Sequence, residues 1–232
     1  KQPATARFIS RHLYNFFVAD EPPVSSWNQV SPQDPEAIEE LICAYQHSNG
    51  EIREILRVLF NSDFFKKSKY NKVKSPAELV AGTIKLVGTH RFPEPGLKEL
   101  DLATTLMGQQ LMNPPTVEGW HTGAEWINGG TLNERVNFAV NQMSGIEKPG
   151  IREITEKLSS SDTVLSPEKF VINCLDLMGY IEMAEETKTS LIKYAEKEGQ
   201  LSFKNEDERQ KNTQRIGRML QLIVASREYQ LA

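Results

Sequence analysis

The chain has 232 residues, 39% of them hydrophobic and 25% charged, with a formal net charge of −4. That is length enough for a sizeable core, and it is the balance of a globular protein rather than a disordered tail or a polycation, which disfavours bulk nucleic-acid binding. The longest apolar runs, such as LQLIV at 220–224, fall far short of the roughly 20 residues a membrane helix needs, so no transmembrane segment is expected.

The opening run ATARFISRHLYNFF has no apolar core or small-residue cleavage site of a signal peptide. It reads instead as a helix over 4–18 already under way, and the chain is expected to be part of a longer protein. VADEPP, Val18 to Pro23, stops that helix with two prolines. Asp20 and Glu21 read as solvated or paired with an arginine, for which Arg7, Arg11 and Arg135 are the candidates for buried partners, because a guanidinium satisfies two acceptors at once. Asp34-Pro35 is a cap followed by proline at the first helical position, and a helix to about residue 48 follows. Another is predicted over 51–60.

The run KKSKYNKVK carries Lys66, Lys67, Lys69, Lys72 and Lys74 around Tyr70. In an acidic protein it reads as a solvated loop, with an anionic polymer or membrane surface as the alternative. Ser75-Pro76-Ala77-Glu78 is a capping box and should open a helix at Pro76 that runs to about Gly88. Helices at about 97–109, 131–143 and, more weakly, 151–158 come next. Ser166-Pro167 repeats the cap-then-proline pattern and opens a helix to about 179. Two more are predicted over 182–198 and 206–225. Alternating runs bounded by turn residues are absent, so almost no sheet is expected. Cys43 and Cys174 each lie in an apolar helical stretch and read as small buried hydrophobes, a disulfide being the alternative.

EIREILRVLFNSDFF, 51–65, aligns without gaps on RIGRMLQLIVASREY, 215–229. Each segment would end at a serine that caps a short turn, tucking Phe65 or Tyr229 back onto the helix. A pair of helical segments precedes each. The expectation is therefore an all-α, compact array of eight to ten helices: a first helical module over 1–65, central helices and a junction over 66–150, and a related module over 151–232, in one globular unit. Any two buried amphipathic helices can share such a pattern, and that reading stands beside duplication.

The stretches ARFISRHLYNFFVADEPP, IREILRVLFNSDFF, KVKSPAELVAGTIKLVG, MNPPTVEGWHTGAEWINGGTLNERVNFA and IVASREYQLA resemble, in order and spacing, the C-terminal half of a bacterial family catalogued as domain of unknown function 1800. The glycines, prolines and tryptophans around Gly119-Trp120 and Trp126-Ile127 carry most of the resemblance. His121 departs from it, standing where proline or another small residue is expected. The resemblance implies mostly helical proteins, often exported from bacterial cells to the periplasm or cell surface, with no settled activity.

The candidate chemistry is concentrated in NPPTVEGWHTGAEWINGG, 113–130. His121 and Glu125 are four apart, a spacing that can hold a metal on a helical face, but the intervening Gly123 argues against a rigid helix and no third ligand is evident, so no metal or cofactor is expected. His121 could serve as a general base oriented by Glu118 or Glu125, in a hydrolase or lyase acting on an envelope or extracellular polymer. No nucleophile elbow, Walker loop, dinucleotide fingerprint or zinc-protease motif accompanies it. Trp120 and Trp126, with Asn113 and Asn128 at their edges and Thr122 beside them, could form a platform for a saccharide or other planar ligand. The competing reading, which we favour, is that both rings are packed and lock the helices together, with His121 at their edge. The function expected is non-catalytic binding or scaffolding within a larger exported protein, with a protein or polysaccharide partner.

Overall fold

The computed structural model describes residues 2–161, 164–179, 181–203 and 206–232. The described residues are all-α but for one two-stranded ladder, with eleven α-helices. They fall into two compact units, the first comprising Lys1–Val73, His121–Glu125 and Leu231–Ala232, the second Lys74–Trp120 and Trp126–Gln230.

The first unit contains α1 (Pro3–Phe17), α2 (Pro35–His47), α3 (Ile52–Asn61) and α4 (Asp63–Lys67). In α1 the buried residues Ala6, Ser10, Arg11 and Tyr14 recur at three and four, which turns one stripe toward α2. Leu41 of α2 and Ile55 and Leu59 of α3 complete the core. Asp34 caps α2 as expected, its side chain accepting from Ala37 N at 3.0 Å. The five-residue α4 was not foreseen. Ser62 starts it by accepting from Phe65 N at 3.2 Å. Cys43 is exposed on α2, not buried, because the core-facing stripe of that helix is Ala37, Ile38, Leu41 and Ile42. Both cysteines are free thiols.

The second unit holds α5 (Pro76–Val87), α6 (Leu97–Leu106), α7 (Gly129–Gln142), α8 (Pro149–Ser161), α9 (Pro167–Leu177), α10 (Glu185–Lys197) and α11 (Glu206–Val224). Strands β1 (Val164–Leu165) and β2 (Leu201–Ser202) pair antiparallel, Leu165 opposite Leu201. One apolar core joins Leu79 and Val80 of α5, Ala139 of α7, Phe170 of α9 and Ile216, Met219 and Ile223 of α11. The helices of the central region and of the later module thus bury their stripes against one another. The predicted capping box of α5 is formed: Ser75 Oγ accepts from Glu78 N at 3.3 Å and Glu78 Oε2 from Ser75 N at 2.7 Å. Gly150 lets the first turn of α8 approach the end of α5, where a Cβ would run into the Leu86 carbonyl. Burial pushes the Cys174 thiol well above its ordinary value, which keeps it protonated in the core.

The internal echo extends to packing and capping. Within the first unit α1, α2 and α3 all touch, as do α9, α10 and α11 within the second. Ser226 Oγ accepts from Tyr229 N at 3.4 Å, repeating the Ser62 turn. The correspondence stops at the aromatic rings. Phe65 packs edge-on against Phe60, whereas the Tyr229 hydroxyl meets Thr83 Oγ1 at 2.9 Å.

Candidate functional site

The segment 113–130 is shared out between the two units, His121–Glu125 with the first and its flanks with the second. Within the second unit, Trp126 is buried at 4% exposure and its backbone carbonyl accepts from Thr131 Oγ1 at 2.8 Å. A Cβ at Gly108 would lie 3.9 Å from its ring, so the indole packs beside the end of α6. Asn128 caps α7, its oxygen accepting from Gly130 N and Thr131 N while Thr131 Oγ1 takes the Asn128 N–H. That oxygen is committed to orphan amides of the first turn.

Trp120 differs from Trp126. It is only half-buried, and its indole N–H donates to the Gln110 carbonyl at 3.0 Å. The preceding loop, 111–118, is exposed throughout. Both rings are thus mostly covered, Trp126 fully and Trp120 in part. Asn113 is exposed and donates to Gln110 Oε1 at 2.8 Å. Glu118 is exposed in the turn closed by Gly119 N to Thr116 O at 3.1 Å.

In the first unit His121 Nδ1 stands 3.5 Å from Glu125 Oε1, with the two side chains 56% and 40% exposed. The spacing of four therefore does bring imidazole and carboxylate together, with Glu125 in a short 3-10 helix, Gly123–Trp126, and His121 in the irregular backbone just before it. Thr122 is exposed beside them. Among the described residues no group of three or more histidines, cysteines or carboxylates comes close enough to hold a metal. Gly123 has φ +59°, and a Cβ there would lie 2.8 Å from Asp20 Cβ. Asp20 is fixed in turn, accepting from Val73 N at 2.7 Å and Lys72 Nζ at 3.0 Å.

Glu21 pairs with Arg11, as one of the sequence alternatives required. Arg11 NH2 lies 2.6 Å from Glu21 Oε2, and Arg11 NH1 donates to the Val30 carbonyl at 2.9 Å. Arg7 is exposed and takes no such role. The lysine run is not uniformly solvated. Lys66, Lys67 and Lys69 are exposed, but Lys72 holds Asp20 and the Asn15 carbonyl, and Lys74 Nζ donates to the Tyr229 carbonyl at 2.9 Å. Arg135 is fully buried, but no carboxylate is its partner among the described residues: its Nε donates to Gln230 Oε1 at 2.9 Å and its NH2 to the Lys74 carbonyl at 2.7 Å. The partner lies 95 positions away, and no local pattern announces such a pairing.

A second surface feature escaped the sequence reading. In the second unit, Leu102 and Leu106 of α6 are 55% and 54% exposed, and Met112 and Val117 in the following loop are 94% and 106% exposed. The two leucines lie four apart, which puts them on one helical face.

These features define an all-helical protein whose Gly/Pro/Trp-rich segment is built mainly of capping and packing contacts, with a small histidine–carboxylate pair and an uncovered apolar face. Residues 1–231 match the model of the family described as Protein of unknown function (DUF1800), and the chain belongs to that family. No curated protein and no solved structure matches it.

Proposed function

We propose that this chain is a non-catalytic binding or scaffolding region of a larger, exported bacterial protein, and that its partner is another protein. The observation that supports this most is the pair of exposed leucines on one face of α6, followed in the next loop by further exposed apolar residues. Leu102, Leu106, Met112 and Val117 stand in water, and Met112 is held at φ +61°, a backbone conformation uncommon for a non-glycine residue. Exposed leucines sharing one helical face mark a protein–protein contact, where single exposed apolar residues carry no such meaning. Export rests on the family resemblance alone.

The test is a photo-crosslinking residue at position 112 of the full protein in its native host. One discrete adduct with a single protein, lost on Leu102→Glu with an unchanged melt, is the expected result; no adduct, or a smear insensitive to Leu102→Glu, defeats the proposal. The runner-up, a hydrolase or lyase on an envelope or extracellular polymer, draws support from the contact of His121 with Glu125. It requires His121→Ala to abolish turnover of such a polymer at unchanged stability.

A further inference from the structure

Four phenylalanines of the first unit touch in series. Phe16 and Phe17 close α1, Phe60 lies near the end of α3 and Phe65 within α4. Ring centres are 4.7 Å apart from Phe16 to Phe17, 5.1 Å from Phe17 to Phe60 and 5.2 Å from Phe60 to Phe65. The Ser62 cap that starts α4 places Phe65 against Phe60. Phe17 and Phe65 pack on the apolar core of the unit, whereas Phe16 and Phe60 stand in water at 71% and 42% exposure. A connected row of rings is a patch rather than a set of scattered apolar residues, and exposed patches mark surfaces that a partner covers.

Positive charge is gathered at the end of that row. Lys66 and Lys67 follow Phe65 directly in the last turn of α4, Lys69 comes two residues later, and all three are exposed. Between Ser62 and Ser75 the sequence has one acid, Asp63. It stands 3.8 Å from Lys66 with the two side chains 84% and 61% exposed, a pairing that water screens and that leaves the lysine available. Lys72 and Lys74 are committed to Asp20 and to the Tyr229 carbonyl, so the outward charge of the run is that of the other three. In a chain of net charge −4 this concentration of lysines is complementary to an anionic surface.

We propose that this patch docks the first unit peripherally on an anionic lipid bilayer, with Phe16 and Phe60 entering the boundary between headgroups and acyl chains and Lys66, Lys67 and Lys69 meeting the lipid phosphates. Interfacial binding adds apolar burial to attraction by anionic lipid, and a lysine stem lies along apolar surface while its ammonium reaches the headgroups. The inclination of the rings favours lipid over nucleic acid. Successive planes stand at 77°, 79° and 73°, so the rings meet edge to face and form no common platform on which bases could stack. Phenylalanine also brings no hydrogen-bonding group, which suits hydrocarbon and gives a polar partner nothing to pair with. The patch uses no residue of α6, so it stands or falls separately from the protein contact proposed there.

The experiment is co-sedimentation of the full chain with vesicles of phosphatidylglycerol mixed into phosphatidylcholine, against vesicles of phosphatidylcholine alone. The chain should sediment with the first and stay in solution with the second, and added salt should weaken the binding. A lysine beside an anionic leaflet is worth roughly fivefold in partition, so Lys66→Gln, Lys67→Gln and Lys69→Gln combined should lose on the order of a hundredfold. Phe16→Ser keeps every charge and should still lose about tenfold, because the ring no longer enters the boundary. All four side chains are exposed, so both variants should melt with the wild type, which separates a lost contact from unfolding. A wild-type chain that ignores the phosphatidylglycerol vesicles, or that binds both kinds equally, overturns the proposal. So does binding that Phe16→Ser leaves intact while the lysine variant abolishes it, with a single-stranded oligonucleotide bound equally well, since that describes a site for any polyanion.

Discussion

Replacing each tryptophan of the junction with alanine separates an anchoring ring from an accessory one. Trp126 is 4% exposed, and burying an indole of roughly 150–250 Å² is worth about 4–6 kcal/mol at ~25 cal/mol per Å². Measured aromatic-to-alanine truncations in cores cost about 3–5 kcal/mol, so Trp126→Ala should lower Tm by roughly 6–20 °C. Trp120 is half-buried and contributes one hydrogen bond, to the Gln110 carbonyl; its removal should cost about 1–2 kcal/mol and a correspondingly smaller drop. His121→Ala, at a side chain 56% exposed, should stay within about 0.5 kcal/mol of wild type. The assay is a circular dichroism melt at 222 nm, with tryptophan fluorescence of each variant recorded beside it. A Trp126→Ala protein that melts with the wild type refutes the anchoring argument, and a larger loss for Trp120→Ala than for Trp126→Ala reverses it.

Two further outcomes follow from the packing. Gly123→Ala forces a left-handed φ on a residue with a Cβ, costing about 1–2 kcal/mol. The new methyl also meets Asp20, which cannot move aside without loosening its bonds to Val73 N and Lys72 Nζ. Chemical denaturation should therefore show a loss of roughly 2–4 kcal/mol, whereas Gly119→Ala, with nothing within 4 Å of its Cβ, should show only the backbone part; equal losses would contradict the role given to Asp20. At Glu228 burial pushes the carboxyl up, but hydrogen bonds from Thr187, its own N–H, Ala184 N and Ser226 outweigh it and hold the group below its ordinary 4.5. A depressed carboxylate stabilises fully above its unfolded pKa and loses that contribution as pH falls through the folded one. Glu228→Gln should thus melt below wild type at pH 7, with the gap closing as pH falls through the depressed folded pKa of Glu228; a gap independent of pH would mean that the charge is not what holds the start of α10.

What was legible in the sequence was what is decided within a few residues. Asp34, Ser75 and Ser166 each precede a proline, and each side chain accepts the amide three residues on, Ala37, Glu78 and Lys169 in turn. Those caps fix where α2, α5 and α9 begin because the orphan amides and the cap oxygen are neighbours in the chain. The histidine–carboxylate contact was legible for the same reason, since a separation of four closes on itself in a single turn. The family, too, was readable from the order of the motifs, and the match over residues 1–231 agrees.

What escaped is what distance in the chain conceals. Composition placed both tryptophans in one junction, but that Trp126 is the more deeply buried of the two could not be read from residue type, because the 111–118 loop between α6 and the rings has no periodicity to place it. A lysine run in an acidic chain reads as solvated, yet Lys72 and Lys74 point inward because their partners, Asp20 and the Tyr229 carbonyl, come from 52 and 155 positions away. Arg135 gave the most instructive miss. Its burial was foreseeable from the need of a guanidinium for several acceptors, and a carboxylate was the natural partner to assign. The fold gives it the Gln230 amide, across 95 positions, and a carbonyl. A residue type therefore predicts the demand for partners, and only the tertiary structure says how it is met.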